Sequence, residues 1–294
     1  MIGLGLGFGA PPQASAQLPV LRQDFAARIA KDTASAGVAL VDLATGDTLG
    51  VNPLRRFHAA STMKVPVLIE LARRIDAGDF GWGDSITVVN RFHSIVDGSE
   101  FGLNLDDDSD STLYAIIGRR VPIRTLARLM IVRSSNLATN LLVELLGASR
   151  INATAHFLGA DSILVLRGVE DQKAYDQGLN NTTTARDLAV LLAALQSGRA
   201  ASAASTAVAL GMLKAQEFND GIPAGLPPGT PVAHKTGWLS SVSHDAAIIY
   251  PPSRPPYVLV VLTRGYQPDT LASRLMADLS RMAWDWMTGP SATH

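Results

Sequence analysis

The chain contains no cysteine, which excludes disulfides, thiolate metal ligands and a cysteine nucleophile. Neither sign of charge is in surplus. A formal net charge of -1 and a pI near 6.6 leave no electrostatic footprint for nucleic acid or a membrane surface. The six histidines are scattered without H-x-x-x-H spacing, so no zinc site and no cofactor is expected. No stretch approaches the ~18 uninterrupted apolar residues of a membrane span.

What remains is a globular composition. The 294 residues are 47% hydrophobic and 17% charged, enough for one large domain or two small ones. Met1 to Ala10 is apolar and Ala14-Ser15-Ala16 has the small-x-small form that signal peptidase accepts. Residues 1–16 therefore read as the remnant of a secretory signal, although a basic n-region is missing. The mature chain is expected to begin at Gln17 and to be secreted or periplasmic.

Apolar spacing predicts a helix over 18–34, and turn residues 44–47 separate two β-rich runs as a hairpin. Helices are predicted over 62–77, 121–130, 135–146 and 184–196, with a polar excursion over 90–111. Strand character returns over 231–234, 245–250 and 257–263, and an amphipathic helix over 271–287 closes the chain. This pattern predicts an α/β fold whose sheet is built from both termini and flanked by helices. Residues 17–60 and 206–294 would form the α/β domain, and 61–205 an inserted helical domain.

Three short motifs carry chemistry. Ser61-Thr62-Met63-Lys64 is an S-x-x-K; at the start of a helix it puts Lys64 one turn beyond Ser61 on the same face. A serine hydroxyl needs a neighbouring base, and a lysine serves as one only when burial or another cation depresses its pKa. Alone the motif is weak, since chance gives about 0.4 matches in this composition. Lys235-Thr236-Gly237 is sharper, at roughly 0.02–0.03 chance occurrences. Lys235 could supply the cation that lowers Lys64, or hold a substrate carboxylate, or be a solvated strand residue. Ser134-Ser135-Asn136 offers a hydroxyl and an amide for a proton shuttle and a substrate amide, and fits equally well as a helix cap.

In order and spacing the three motifs resemble the class A β-lactamases and their penicillin-binding relatives. The resemblance runs from Phe57–Lys64 through Met130–Leu142 to the strands after Lys235. It implies Ser61 as nucleophile, Lys64 as its proton acceptor and Ser134 as the relay to the leaving nitrogen. It implies Asn136 as the acylamide ligand, Lys235 and Thr236 as carboxylate ligands beside Gly237, and the Ser61 and Trp238 amides as the oxyanion hole.

The sequence also departs from the family. The loop Arg167 to Ala174 carries Glu170 one residue late and lacks the Leu-Asn that usually follows. Glu170 remains the best candidate for the base of deacylation, oriented by Asn140, with a surface loop glutamate as the alternative. Ser135 replaces an Asp that normally braces the middle motif, Trp238 makes the cleft edge bulky, and His244 stands about where many relatives carry an anion-binding Arg. Asp106 to Asp110 lacks the Gly and distal Glu of a calcium loop and reads as a solvated turn.

The expectation is a monomeric serine β-lactam hydrolase acting on a small β-lactam or acyl-D-Ala-like molecule. It would have no nucleic-acid partner, and no membrane partner after signal removal. A D,D-peptidase or esterase on the same scaffold is the alternative, followed by a covalent β-lactam sensor. A sensor calls for a membrane anchor or output domain, and none is visible in the sequence.

Overall fold

The computed structural model describes residues 14–267 and 269–289. The expected leader falls largely on residues 1–13, outside the described residues. Helix α1 (Ala14–Ile29) begins before the expected processing point and ends five residues short of the predicted helix. The hairpin β1 (Ser35–Asp42) and β2 (Thr48–Val51) follows, then the short strand β3 (Phe57–His58), a 3-10 turn over Ala60–Met63, and α2 (Lys64–Asp76). The polar excursion holds the paired strands β5 (Phe92–His93) and β6 (Glu100–Phe101), and is flanked by a second pair, β4 (Ser85–Thr87) with β7 (Arg120–Pro122).

Next come α3 (Ile123–Val132), α4 (Asn136–Leu146), α5 (Ala148–Phe157) and the single turn α6 (Gln172–Asp176). Strand β8 (Thr182–Thr183) pairs with β3 and leads to α7 (Ala185–Gln196) and α8 (Ala203–Lys214). The chain ends with β9 (Val232–Leu239), β10 (Val242–Ile249), β11 (Tyr257–Arg264) and α9 (Asp269–Thr288). Sequence periodicity missed α5 and α8. Both are rich in Ala, Ser and Thr, which blur the apolar stripe.

The main sheet is antiparallel, ordered β2-β1-β11-β10-β9, so the first hairpin lies against the last three strands and both ends of the chain share one sheet. Strand β11 shows why its sequence is almost unbroken Val and Leu. Val258, Val260 and Leu262 face one apolar cluster with α2, α7 and α8, while Tyr257, Leu259 and Val261 face the other with α1 and α9. The first apolar cluster takes in residues on both sides of the expected boundaries at 60/61 and 205/206. Helix α7 packs on β1, β10 and β11, and the first cluster runs on from the sheet face into the helices.

Helix α2 lies at the centre, with every residue from Lys64 to Ala72 buried. Its N-terminal end meets β9. At Gly237 a Cβ would stand 3.1 Å from the Ser61 nitrogen and 3.0 Å from the Thr62 nitrogen, so only glycine admits this approach without a shift.

Candidate active site

Ser61, Ser134, Asn136, Glu170, Thr236 and Trp238 line one open cavity of about 1000 Å³ between the helices and β9. The chain enters this cavity under backbone strain. Ala60 (φ 45°), Ser134 (φ 60°) and Glu170 (φ 63°) are non-glycine residues in the left-handed region, and all three line it. Such conformations persist only where the surroundings over-determine them, and they cluster at functional sites.

Lys64 is fully buried because α2 is, one turn beyond Ser61. Its Nζ donates to Ser134 O (2.6 Å), to Asn136 Oδ1 (3.0 Å) and to Ser134 Oγ (3.1 Å). Among the described residues it makes no hydrogen bond to Ser61. Burial pulls its pKa down to about 7 against the opposing pull of the Asp108 and Glu170 carboxylates. Lys235, also fully buried, reaches the same Ser134 Oγ at 3.1 Å from the other side and donates to Thr236 O. Its pKa is lowered by burial and then by Lys64. Burial is therefore what depresses the Lys64 pKa, and the repulsion expected to fall on Lys64 is expressed at Lys235. A hydroxyl between two amines can accept from one and donate to the other, the property a proton relay needs.

Asn136 joins the halves of the site. Its Oδ1 holds Lys64, and its Nδ2 donates to Glu170 Oε1 at 2.7 Å. The second Glu170 oxygen accepts from the Asn104 amide at 3.3 Å. Burial raises the Glu170 pKa, the two hydrogen bonds oppose the rise, and Asp108 and Asp107 add to it. Despite its shifted position in sequence, Glu170 is half-buried and lines the cleft.

The Glu170 loop is held at three points. At its neck Leu164 and Thr182 exchange backbone bonds, and the Asn181 side chain accepts from Leu166 and Arg167 and donates to Arg167 O. Asp171, buried, accepts from Ser94 Oγ and the Ile95 amide and caps α6. Asn140 grips the Val169 backbone in both directions, at 2.6 and 3.0 Å. Asn140, expected to orient Glu170, is placed to do so through the adjacent peptide; it is buried and does not line the cavity, so it has no direct access to a bound substrate.

Two further expectations are corrected. His244 is buried with both ring nitrogens engaged: Nδ1 lies 2.8 Å from Ser243 O and 3.1 Å from the Thr263 amide nitrogen, and Nε2 lies 2.8 Å from His58 O. Burial drives its pKa down to about 4, so it is a neutral strut and not a substitute for an anion-binding arginine. The aspartate run is not simply solvated. Asp106 and Asp107 are exposed, but Asp110 is buried against Arg133, and Asp108 accepts from the Asn136 and Leu137 amides at 2.9 Å each. Ser135 Oγ takes the Ala138 amide, so the first three N–H groups of α4 all have partners. Trp238 is 65% exposed at the cleft rim, its indole N–H donating to Asp269 at the start of α9.

The profile of the "Beta-lactamase enzyme family" matches residues 20–287. A beta-lactamase of Streptomyces lavendulae is 27% identical over 279 residues, covering 92% of this chain and 86% of its own. The crystal structure of a beta-lactamase from Sphaerobacter thermophilus superposes with a TM-score of 0.75 at 27% identity, over 92% of this chain and 96% of that one. PBP-A superposes with a TM-score of 0.78 at 26% identity, over 90% and 95%. Within a family defined by this sheet and these helices, the chain is a divergent class A β-lactamase-like serine hydrolase, a member of the beta-lactamase enzyme family.

Proposed function

We propose that the chain hydrolyses β-lactams through an acyl-enzyme on Ser61. Ser61 Oγ attacks the lactam carbonyl carbon while its proton passes to the neutral Lys64 amine. The Ser61 and Trp238 amides receive the oxyanion. The C–N bond then breaks, and Ser134 delivers a proton to the leaving nitrogen, drawing on Lys64 behind it. Lys235 and Thr236 take the substrate carboxylate, and Asn136 the acylamide. In the second half-reaction Glu170 accepts a proton from a water that attacks the ester carbonyl. The C–O bond to Ser61 then breaks as a proton returns to Ser61 Oγ by way of Lys64, and Glu170 gives up the proton it took. The observation that carries this reading is Ser134 Oγ at 3.1 Å from both lysines, in the cavity that Ser61 and Glu170 share.

A penicillin should add one drug mass to Ser61, detected by intact and peptide mass spectrometry. Ser61→Ala should abolish the adduct while the fold persists, and Lys64→Ala should slow its formation by about 10²–10⁴-fold. An adduct that survives in Ser61→Ala defeats the assignment.

A D,D-peptidase is the second reading. Its support is that PBP-A superposes as well as the β-lactamases do, and a PBP-A mutant is known as its acyl-enzyme complex with penicillin G. Turnover of nitrocefin against release of D-Ala from D-Ala-D-Ala peptides separates the two. Either substrate class is met outside the cytoplasm, in keeping with an exported protein; no described helix is long and apolar enough to cross a membrane.

A further inference from the structure

We propose that His58 is a positioning residue for this reaction: its neutral imidazole, backed by His244, holds the strained turn that presents Ser61 and releases that turn when protonated. The inference rests on Ser61 being the nucleophile. It starts from Ala60, whose left-handed backbone needs an external hold. The neighbouring groups are held by other means. Ala59 N donates to Asn181 O, while Thr62 N and Thr62 Oγ1 both donate to Ala59 O. The Ala60 amide donates to His58 Nδ1 at 3.0 Å. That bond requires Nδ1 to be unprotonated.

The His58 carbonyl is fixed in turn by His244 Nε2, so two imidazoles from β3 and β10 grip the residues just before the nucleophile. Tyr175 packs edge-on against the His58 ring at 6.3 Å between centroids, which ties the turn to the Glu170 loop. The titratable and charged groups facing His58 are Arg167 and Tyr175 of that loop and His244 of β10. Burial and then the Arg167 charge favour the neutral ring, and the Asn180 side chain opposes them. On protonation, Nδ1–H would face the Ala60 N–H as a second donor, and the left-handed turn would lose its hold. The Ser61 amide and Oγ follow that turn. A displacement of ~1 Å at a reacting group can cost about 10²-fold in rate.

The test measures acylation of the full chain by a fluorescent penicillin, with Ser61→Ala as the blank. A wild type that labels no more than the blank sinks the Ser61 reading itself; the His58 inference is decided by its own variants. His58→Phe keeps a ring against Tyr175 but removes the acceptor, and should acylate about tenfold or more slowly at pH 7.5. His58→Asn restores an acceptor for the amide two residues on, as in an Asx turn, without titrating. It should recover to within a few-fold of wild type. In acid, the wild type should lose acylation with two protons, from Lys64 and His58, and His58→Asn with Lys64 alone, about tenfold per pH unit. Wild-type rates in His58→Phe, or a two-proton limb retained in His58→Asn, overturn the proposal. If His58→Phe fails to fold by circular dichroism, the pH profile of His58→Asn decides it.

Discussion

Replacing Glu170 with glutamine isolates the second half-reaction. The amide is nearly isosteric and its oxygen can still accept from Asn136 Nδ2, the 2.7 Å contact. The 3.3 Å contact with the Asn104 amide would face an NH₂ group and be lost, at a cost of about 1 kcal/mol or less. The fold and the Lys64–Ser134 geometry should therefore survive, and acylation should change little. Deacylation should fall by the worth of a general base, about 10²–10⁴-fold, so acyl-enzyme accumulates. A pH signature accompanies the loss. The carboxyl pKa is raised by burial above its ordinary 4.5, and only the carboxylate can accept the proton. Wild-type deacylation should thus decline as pH falls through that raised value, and Glu170→Gln should lack this limb. Pre-steady-state nitrocefin traces, with mass spectrometry of quenched samples, give both rates. Equal deacylation rates and matching pH profiles in the two proteins would refute the base assignment and favour the peptidase reading.

Two further outcomes follow from buried groups. His244 binds a proton near pH 4 when folded and near 6.5 when unfolded, so its contribution to stability is full above 6.5 and lost as pH falls toward 4. The loss is at most about 3 kcal/mol, and urea midpoints from pH 7 to 4.5 should fall more steeply in wild type than in His244→Gln; parallel curves would refute it. Asp108→Ala removes the partner of two α4 amides and should cost about 1–2 kcal/mol by urea denaturation. It also removes a carboxylate that holds Lys64 charged, so the acid limb of acylation should move to lower pH; an unmoved limb would show that Asp108 acts on α4 alone.

The parts of the site legible in the sequence are those whose chemistry sits within a few residues. Ser61 and Lys64 are one helical turn apart, and Lys235 to Gly237 occupy one strand. The strands over 231–263 and the closing helix were readable because their apolar content is dense. What was not legible depends on long-range contact. The sequence suggests that Asn140 orients Glu170 but not how: its side chain spends both ends on the Val169 peptide 29 residues away. His244 was assigned to anions by its place in the family pattern. Its ring instead bonds to His58, 186 residues distant, and burial there removes its charge. His58 itself carried no signal, because a histidine beside an S-x-x-K means nothing until the Ala60 backbone is known.

The middle motif shows how the divergence is accommodated. Ser135 stands where an aspartate would brace the turn, and a hydroxyl alone satisfies one amide of α4, that of Ala138. The carboxylate comes back from another element: Asp108, 28 residues earlier, takes the Asn136 amide and, with its other oxygen, the Leu137 amide. The exchange has an electrostatic consequence. A carboxylate at the N-terminus of α4 meets the positive end of the helix dipole and also lies close enough to Lys64 to oppose the fall of its pKa. It lies close to Glu170 as well, where it raises the carboxyl pKa. One aspartate therefore acts on both proposed bases in the same direction, favouring the proton on each. Through Asp108, an acidic run that reads as a solvated turn in the sequence is part of what sets the pH range in which Lys64 and Glu170 are free to accept protons.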